Sequence, residues 1–428
     1  MRIVYMAAGA AGMYCGACAR DTALARGLTA RGHEVQFLSL YTPVKSDSPP
    51  PGACRVFYGG VNVYLEQHSA LFRHTPALLD RLFDSTWLLD FVGRFGIDTA
   101  PEDLGEMTVS VLRGPDGRQK KELNKLVDFL TEGPRPDVVH LTNSLLSAIA
   151  PAVKDALDVA VVCGLQGEDA FVERIGEPWR EEALRLMRRH AGAVDLFVAP
   201  GEAYADDMAG LLSTERSRIR VVRAGIDLAP FEAPVERPRE VFRIGYLSRI
   251  VPEKGLDLLC EAFRLLEEEQ PGRCELAIAG EATGTNRAFR DAQLKRLAEA
   301  GLDERVEYVG APDLAGKVGF LKRCSTFSLP SRVGERQAVA SLEAQACGVP
   351  VVVPDLGIHR EVLLLTGGGV LVRPNDARAL ADALATLRDD EPRARALGER
   401  AAAGVREHFS SNAMVEKTLG LYREVSHA

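Results

Sequence analysis

The chain has 428 residues, of which 46% are hydrophobic and 26% are charged, and its formal net charge at pH 7 is −8. This length favours two globular domains, because a single domain usually holds roughly 100 to 200 residues. The acidic balance disfavours a nucleic-acid partner, since phosphate backbones are bound by basic surfaces. No run of about 18 apolar residues could span a bilayer, and the N-terminus lacks the apolar core of a signal peptide. We therefore expect a cytoplasmic protein whose cysteines are reduced thiols.

Short apolar runs alternate with helical patterns along most of the chain, which is typical of β-α-β units that build a parallel sheet. The alternation breaks near residue 230 and starts again at residue 242, so it predicts two doubly wound α/β sheets. Strands are predicted at 2–7, 33–40, 136–141, 159–165 and 195–200 in the first sheet, and at 242–247, 274–280, 305–310, 326–330 and 350–354 in the second.

Three prolines and several charges interrupt residues 228–240, as expected of an exposed linker. The sequence therefore predicts an N-terminal domain over 1–228, a linker over 229–240 and a C-terminal domain over 241–408. A helix over 409–428 is predicted to pack back towards the N-terminal domain. Residues 65–130 are predicted to form a helical insertion rich in aromatic residues and histidines. We expect this insertion to shape an acceptor site or to contact the inner face of a membrane peripherally, with helix packing on the sheet as the alternative.

The first predicted strand ends in a glycine-rich loop around Gly12, just before a helix, where backbone N–H groups and the helix dipole favour a phosphate. A dinucleotide site would need the spacing G-x-G-x-x-G and an acidic residue after the second strand, and neither is present. A role in admitting a sugar phosphate is favoured, with a tight turn as the alternative. Cys15 and Cys18 lie at the same helix start. Packing is favoured there over redox or metal chemistry, because no further zinc ligands lie nearby in the sequence.

Two cations, Arg249 and Lys254, follow the first predicted strand of the second domain, and a helix begins at Gly255. The carboxyl ends of parallel strands are where α/β sheets bind ligands. An arginine fork and a lysine point charge at this edge suit a diphosphate, and together they could stabilise a nucleoside diphosphate as a leaving group. A solvated basic turn is the alternative for such a pair by itself.

Two glutamates, Glu335 and Glu343, are separated by seven residues in a segment predicted to be helical, before Gly-Val-Pro returns the chain to a strand. If every step between them is helical, their Cα atoms lie about 12 Å apart. That distance exceeds the roughly 5 to 9.5 Å of a glycosidase carboxylate pair. It suits the two ends of an extended nucleotide sugar, with one carboxylate at the sugar and the other at the ribose.

These features resemble the retaining GT-B glycosyltransferases of family 4, the group that includes glycogen synthase. The likeness rests on Arg249 with Lys254, on the two glutamates, and on the runs 346–352 and 367–376. In the first domain, segments 31–35, 136–140 and 221–227 resemble family landmarks in the expected order. The likeness covers nearly the whole chain except 65–130. It implies two Rossmann-like domains facing across a cleft, a nucleotide sugar as co-substrate, and no other cofactor or metal.

The resemblance also implies roles for individual residues. A hydroxyl acceptor would attack C1 of a nucleoside-diphosphate hexose with retention of anomeric configuration, and the leaving phosphate would assist deprotonation of the acceptor. The backbone N–H groups that follow Glu335 would face the sugar and phosphate, and the Gly12 loop would approach the donor from the other domain. The implied donor-site residues are Arg249 and Lys254 for the diphosphate, Glu343 for the ribose, Glu335 for the sugar, and the backbone of Gln337, Ala338 and Val339.

Two departures from the family pattern affect the sugar end. Arg336 and Gln337 stand where the family usually has Pro or Gly and then Phe, which leaves the donor sugar open. Gln166 stands where the family often has a histidine, and an amide can hydrogen-bond a sugar hydroxyl but cannot carry a proton in the same way. His140, at another strand end, is a candidate substitute, with a packed histidine as the alternative. Asp169 is a candidate for acceptor or donor hydroxyls, with helix capping as its alternative.

Other functional classes remain open at this stage. A sugar-nucleotide epimerase or a glycoside phosphorylase would keep the same two sheets. An NAD-dependent oxidoreductase is disfavoured by the missing fingerprint. A non-catalytic nucleotide-sugar-binding protein is the rival outside enzymology. The sequence does not identify the nucleobase, the sugar, the acceptor or the oligomeric state.

Overall fold

The computed structural model describes residues 1–9, 16–44, 46, 49–52, 55–59, 63, 67, 101–231, 241–284 and 286–426. The chain divides into two compact units. Unit 1 combines Met1–Arg223 with Met414–Ala428, and unit 2 comprises Ala224–Ala413. Gly12, Cys15, most of residues 65–100 and most of the proposed linker lie outside the described residues.

Unit 1 is built on a parallel sheet that has seven strands in the described part of the chain, in the order β3-β2-β1-β4-β5-β6-β7. The five strands predicted for this domain are all present, and the additional β3 and β7 are three residues each. The strands are β1 (Arg2–Ala8), β2 (Glu34–Leu40), β3 (Arg55–Phe57), β4 (Val138–Leu141), β5 (Ala160–Gly164), β6 (Leu196–Ala199) and β7 (Ile219–Val221).

Helices cover both faces of this sheet. Strand β1 shows why, because Val4 and Met6 belong to one apolar cluster while Ile3 and Tyr5, which point to the opposite face, belong to another. The helices of the first half are α1 (Gly16–Ala30), α2 (Pro101–Leu112), α3 (Lys120–Glu132), α4 (Ile149–Leu157), α5 (Glu168–Ile175), α6 (Trp179–Ala191) and α7 (Glu202–Leu212).

Helices α2 and α3 form the described part of the proposed insertion. Their apolar residues, Val109, Leu112, Leu123, Leu126 and Leu130, are buried in the same cluster as Val4 and Met6. In this part of the insertion the helices therefore pack on the first sheet. Among the residues that the structure describes, no helix combines the length and the apolar character needed to cross a membrane.

Unit 2 contains the second parallel sheet, with six described strands in the order β10-β9-β8-β11-β12-β13. All five predicted strands are present, and β13 is additional. The strands are β8 (Phe242–Leu247), β9 (Cys274–Ala279), β10 (Val306–Tyr308), β11 (Thr326–Ser328), β12 (Val351–Pro354) and β13 (Gly369–Val372). The helices are α8 (Leu256–Glu269), α9 (Asn286–Glu299), α10 (Leu314–Lys322), α11 (Val339–Ala346), α12 (His359–Thr366), α13 (Ala377–Asp389) and α14 (Glu391–His408).

The first and last residues of unit 2 pair with each other. Ile226 forms a parallel bridge with Ser410, its amide donates to the Phe409 carbonyl (2.9 Å), and the Ser411 amide donates to the Ile226 carbonyl (2.8 Å). The chain then enters α15 (Ser411–Ser426), whose apolar side chains join the unit 1 cluster around Ile3 and Tyr5. The terminal helix therefore completes the core of unit 1.

Candidate functional site

The donor-site cations of the sequence analysis lie in the turn that follows β8. Arg249 is exposed, and Lys254 ends a single 3-10 turn, Pro252–Lys254, before α8 begins at Leu256. Gly255 has a φ of +71°, and a Cβ on this residue would lie 2.0 Å from the Pro330 carbonyl oxygen. The close approach requires glycine, so this turn is held directly against the chain that follows β11.

Strand order explains why these two segments meet. Strands β8 and β11 are parallel neighbours, with Ile244 opposite Thr326, so the segments that follow them emerge at one edge of the sheet. Arg332 joins the segments further. Its guanidinium donates to both carboxylate oxygens of Asp257 (2.8 and 2.6 Å) and to the Pro252 carbonyl (2.8 Å), and its amide donates to the Glu253 carbonyl (2.8 Å).

Lys254 and Glu335 meet at this edge. The Lys254 ammonium donates to Glu335 Oε1 at 2.5 Å, and both side chains are largely buried. Burial raises the pKa of the Glu335 carboxyl, but the charge and hydrogen bond of Lys254, with smaller contributions from His359 and Ser331, outweigh it and bring the pKa below its usual value. Glu335 is therefore a carboxylate at neutral pH.

Glu343 lies on α11 and accepts a hydrogen bond from the Lys317 ammonium at 2.5 Å, with both side chains about 10% exposed. Helix α11 begins at Val339, and its N-cap residue Ala338 is left-handed with φ 49°. The steps from Glu335 to Ala338 are therefore not helical, so the condition behind the 12 Å estimate is not met. Lys317 was not identified from the sequence, because a lysine on a helix is usually a solvated residue.

Gln166 lies just beyond β5 in unit 1, in a polar network centred on Asp21. Its amide nitrogen donates to Asp21 Oδ1 (2.9 Å), to the Thr142 carbonyl (3.0 Å) and to Thr142 Oγ1 (2.8 Å). Asp21 is buried and also accepts from the Tyr5 hydroxyl (2.7 Å) and from Arg20 (3.2 Å). A carboxylate and a carbonyl only accept hydrogen bonds, so the amide nitrogen of Gln166 must face them.

His140 lies inside unit 1 with no exposed surface. Its Nδ1 hydrogen-bonds the Tyr422 hydroxyl of α15 (2.6 Å), and its ring stacks on Tyr5. Burial, together with the charge of Arg20, holds its pKa well below the usual value, so the ring is neutral. A packed histidine explains this environment better than a proton carrier, because the side chain does not reach solvent.

Asp169 lies in the first turn of α5 and accepts a hydrogen bond from the Tyr204 hydroxyl (2.8 Å). Its neighbour Glu168 is buried, and its carboxylate accepts hydrogen bonds from the backbone N–H groups of Ser144 (2.9 Å) and Gln166 (2.6 Å). Cys18 is buried in α1. Asp21, Lys317 and His359 are among the polar residues around these side chains that the sequence did not single out.

Two α/β units with parallel sheets, one of which has a cationic turn and a glutamate at one sheet edge, are features of the GT-B glycosyltransferases. The family models agree. Residues 16–225 match "Glycosyl transferase 4-like domain", and residues 231–403 match "Glycosyl transferases group 1". The chain therefore belongs to the family 4 glycosyltransferases of the group 1 type.

Three similar proteins share 30% sequence identity or less with this chain. The chain is 30% identical to D-inositol 3-phosphate glycosyltransferase of Kineococcus radiotolerans over 54% of this chain and 57% of that protein. It is 29% identical to glycogen synthase of Mycobacterium tuberculosis over 65% of each chain. These matches span about half to two thirds of the length of the relatives. Among solved structures, Anabaena HepE in complex with UDP-glucose is 17% identical and superposes with a TM-score of 0.68, covering 99% of this chain and 100% of that one.

Proposed function

We propose that this protein transfers a hexosyl group from a nucleoside-diphosphate sugar to a hydroxyl acceptor with retention of anomeric configuration. The observation that carries the proposal is the meeting of Lys254 with Glu335 at the carboxyl edge of the second sheet. Arg249 lies in the same turn after β8. A diphosphate needs cations, a sugar needs a hydrogen-bond acceptor, and this edge supplies both.

In the proposed reaction, the acceptor oxygen bonds to C1 of the sugar as the bond from C1 to the phosphate oxygen breaks. The departing phosphate takes the acceptor proton. Arg249 and Lys254 stabilise the negative charge that develops on the diphosphate, which is the term that usually contributes most to such a rate. We assign Glu335 to the sugar, Glu343 to the ribose, and Gln166 and Asp169 to sugar or acceptor hydroxyls. His140 receives no role.

The donor site is tested by ligand-induced thermal shifts. UDP, GDP and ADP and their glucose or mannose conjugates are added to the protein, with UDP-glucose first because HepE has been solved with it. A ligand at 100 times its Kd adds about 2.7 kcal/mol to the free energy of unfolding. This raises the thermal unfolding midpoint by roughly 5 to 10 °C in a unit of this size. We expect Arg249→Ala or Lys254→Ala to weaken binding roughly 10- to 100-fold, as loss of a charge-assisted hydrogen bond does.

Lys295→Ala is the matched control, because Lys295 is an exposed lysine on α9 of the same unit. It should keep the full ligand shift. Unchanged shifts in both Arg249→Ala and Lys254→Ala would contradict the assignment of the diphosphate site.

Transfer itself is tested by nucleotide release and by the product. With a hydroxyl acceptor present, release of nucleoside diphosphate should match the glycoside formed, and NMR should show the anomeric configuration of the donor. Turnover that requires inorganic phosphate would instead indicate a phosphorylase. Tight donor binding without nucleotide release from any acceptor mixture would indicate a binding protein. Activity after chelation with EDTA tests whether a divalent metal is needed.

A further inference from the structure

The proposed diphosphate ligand Lys254 already has an anionic partner in this structure. Its ammonium lies 2.5 Å from Glu335 Oε1, and the two side chains are 18% and 13% exposed. At such low exposure the pair is poorly screened by water and salt, so the attraction between the two charges is stronger than in a surface pair. A diphosphate that binds Lys254 therefore competes with Glu335 for the same ammonium.

His359 is a second titratable neighbour of Glu335 among the described residues. Burial lowers the pKa of this histidine, so the ring is neutral at pH 7. His359 Nδ1 lies 3.2 Å from the Pro354 carbonyl, which accepts only, so Nδ1 carries the ring proton. The other nitrogen, Nε2, is then an acceptor, and it has no hydrogen-bond partner among the described residues. A neutral imidazole in this tautomer cannot donate to a carboxylate through Nε2.

The backbone of Glu335 is held in place by its neighbours. The Glu335 carbonyl accepts from the Ile358 amide (2.9 Å), and a Cβ on Gly357, whose φ is +62°, would lie 2.5 Å from that carbonyl oxygen. The Glu335 side chain therefore starts from a fixed point, and withdrawing its cation would leave a largely buried charge with fewer partners. Such a loss is costly unless new donors arrive.

The two relevant ligands differ in whether they bring such donors. A nucleoside diphosphate offers only oxygen anions near Lys254. A nucleotide sugar adds hydroxyl groups, which can donate to Glu335 as the ammonium turns to the phosphates. When Lys254 turns to the phosphates, the intact donor gives Glu335 new hydrogen-bond donors, and the product nucleotide does not.

We propose that Glu335 is a specificity-determining residue that competes with the diphosphate for Lys254 and thereby favours the intact nucleotide sugar over the free nucleoside diphosphate. This inference rests on the proposed function, since it requires the diphosphate to bind at Lys254. Its consequence is weaker inhibition by the product, because the nucleotide left after transfer binds against an internal competitor.

The test is calorimetric titration of wild type and Glu335→Gln with UDP and with UDP-glucose, and in parallel with the GDP and ADP pairs. The amide keeps the size of the side chain and removes the charge that competes for Lys254. We expect Glu335→Gln to bind the free diphosphate about 5- to 10-fold more tightly, while affinity for the nucleotide sugar stays equal or falls. The ratio of the two dissociation constants should therefore drop by at least that factor.

Three further variants make the outcome decisive. Glu253→Gln removes one negative charge from the same turn but leaves the Lys254 and Glu335 pair, so its affinity for the diphosphate should stay within about twofold of wild type. Glu335→Asp keeps the charge and shortens the side chain by one methylene; it should also bind the diphosphate more tightly, and it serves if Glu335→Gln does not fold. In Lys254→Ala, adding Glu335→Gln should give no further gain.

The results separate this inference from the function on which it rests. If Arg249→Ala and Lys254→Ala both leave diphosphate affinity unchanged, the proposed donor site is wrong. If only Lys254→Ala leaves it unchanged, Lys254 does not bind the diphosphate and the competition is overturned. If Lys254→Ala weakens the diphosphate but neither Glu335 variant tightens it, or if Glu253→Gln tightens it equally, the competition is overturned and the donor site stands.

Discussion

Ala338 adopts a backbone conformation that alanine rarely uses. It is left-handed (φ 49°, ψ 31°) and 2% exposed. It is the N-cap residue of α11 and lies three residues after Glu335. Such a conformation costs a residue with a Cβ about 1 to 2 kcal/mol. The residue is held there because the chain must turn sharply from Glu335 into the helix.

Substitutions of Ala338 should separate strain from packing. Glycine relieves the strain but loses a buried methyl, worth about 0.8 kcal/mol, and adds about 0.5 to 1 kcal/mol of chain entropy. We therefore expect the free energy of unfolding of Ala338→Gly, measured in urea, to lie within about 1 kcal/mol of the wild-type value. Ala338→Val should lose about 2 kcal/mol or more, because a β-branched residue is an outlier in this region and overfills the site. If Ala338→Val is as stable as wild type, the left-handed backbone at this position relaxes freely.

The Gln166 amide has one orientation because its nitrogen faces Asp21 and Thr142. Replacing Gln166 with Glu sets a second carboxyl against the Asp21 carboxylate, which raises the pKa of the new group in the folded state. A raised pKa stabilises only at low pH, so the variant should lose stability as pH rises above about 4.3, the unfolded value. We expect a deficit of about 2 kcal/mol at pH 8.

Urea unfolding at pH 5 and pH 8 measures this dependence. Gln36→Glu, on an exposed strand position, is the matched control and should show little pH effect. Asp21→Asn combined with Gln166→Glu removes the paired carboxylates and should restore a flat profile. A pH-independent Gln166→Glu variant would mean that the network does not hold the amide in this orientation.

The sequence predicts residue types for the candidate site, but it does not predict which of them pair. Arg249, Lys254, Glu335 and Glu343 follow from motif spacing and strand ends. The Lys254 and Glu335 pair joins residues 81 positions apart, and it forms only because β8 and β11 are neighbours in the sheet. His140 shows the same limit, since its partner Tyr422 is 282 positions away. Hydrophobic periodicity carries no information about such contacts.

At the scale of elements, length does not separate the predicted strands from the others, since β10 and β11 have three residues, as β3 and β7 do. Nine of the ten predicted strands contain at least three consecutive buried residues, and such apolar runs are what periodicity detects. Strands β3 and β7 each include an arginine, and β13 has a single buried residue, Val372, so these three strands stand out less. Helix α11 begins later than the spacing of its glutamates suggested, because Ala338 stops the helix on its N-terminal side.

Helix α1 packs closely against α15 through a glycine. A Cβ on Gly27 would lie 2.4 Å from Val415 Cγ2. Alanine gains about 1 kcal/mol of helix propensity, but overpacking costs about 1 to 3 kcal/mol, so Gly27→Ala should destabilise the protein by about 1 kcal/mol. Val415→Ala in the Gly27→Ala background should cost less than in wild type, because it removes the clash.

Gly210 provides the matched control for that substitution. It lies inside α7 with no atom within 4 Å of its Cβ position. Only the propensity term acts there, so Gly210→Ala should stabilise the protein by about 0.5 to 1 kcal/mol. Denaturant unfolding of the two single variants should therefore show changes of opposite sign in the free energy of unfolding. A stabilised Gly27→Ala would contradict the close packing of α1 on α15.

At the scale of the whole molecule, the two units differ in how the chain builds them. Unit 2 is one continuous segment, Ala224–Ala413, and its ends are joined by the hydrogen bonds of Ile226 with Phe409 and Ser411. Unit 1 is discontinuous, because residues 414–428 return to it after unit 2 is complete. The apolar residues that α15 buries in unit 1 are Met414, Val415, Leu419, Leu421 and Tyr422.

This difference predicts how fragments behave. Five buried side chains worth about 1.5 to 3 kcal/mol each amount to roughly 7 to 15 kcal/mol, which is comparable to the whole stability of a domain. The fragment 1–223 should therefore lack a cooperative unfolding transition, and a peptide of residues 411–428 should restore one. The fragment 224–413 should fold by itself, since both of its ends are paired. Its midpoint should rise with the nucleoside diphosphate that stabilises the whole chain, because the fragment carries Lys254, Glu335 and Glu343. A cooperative 1–223 fragment, indifferent to the peptide, would show that α15 adds little to unit 1.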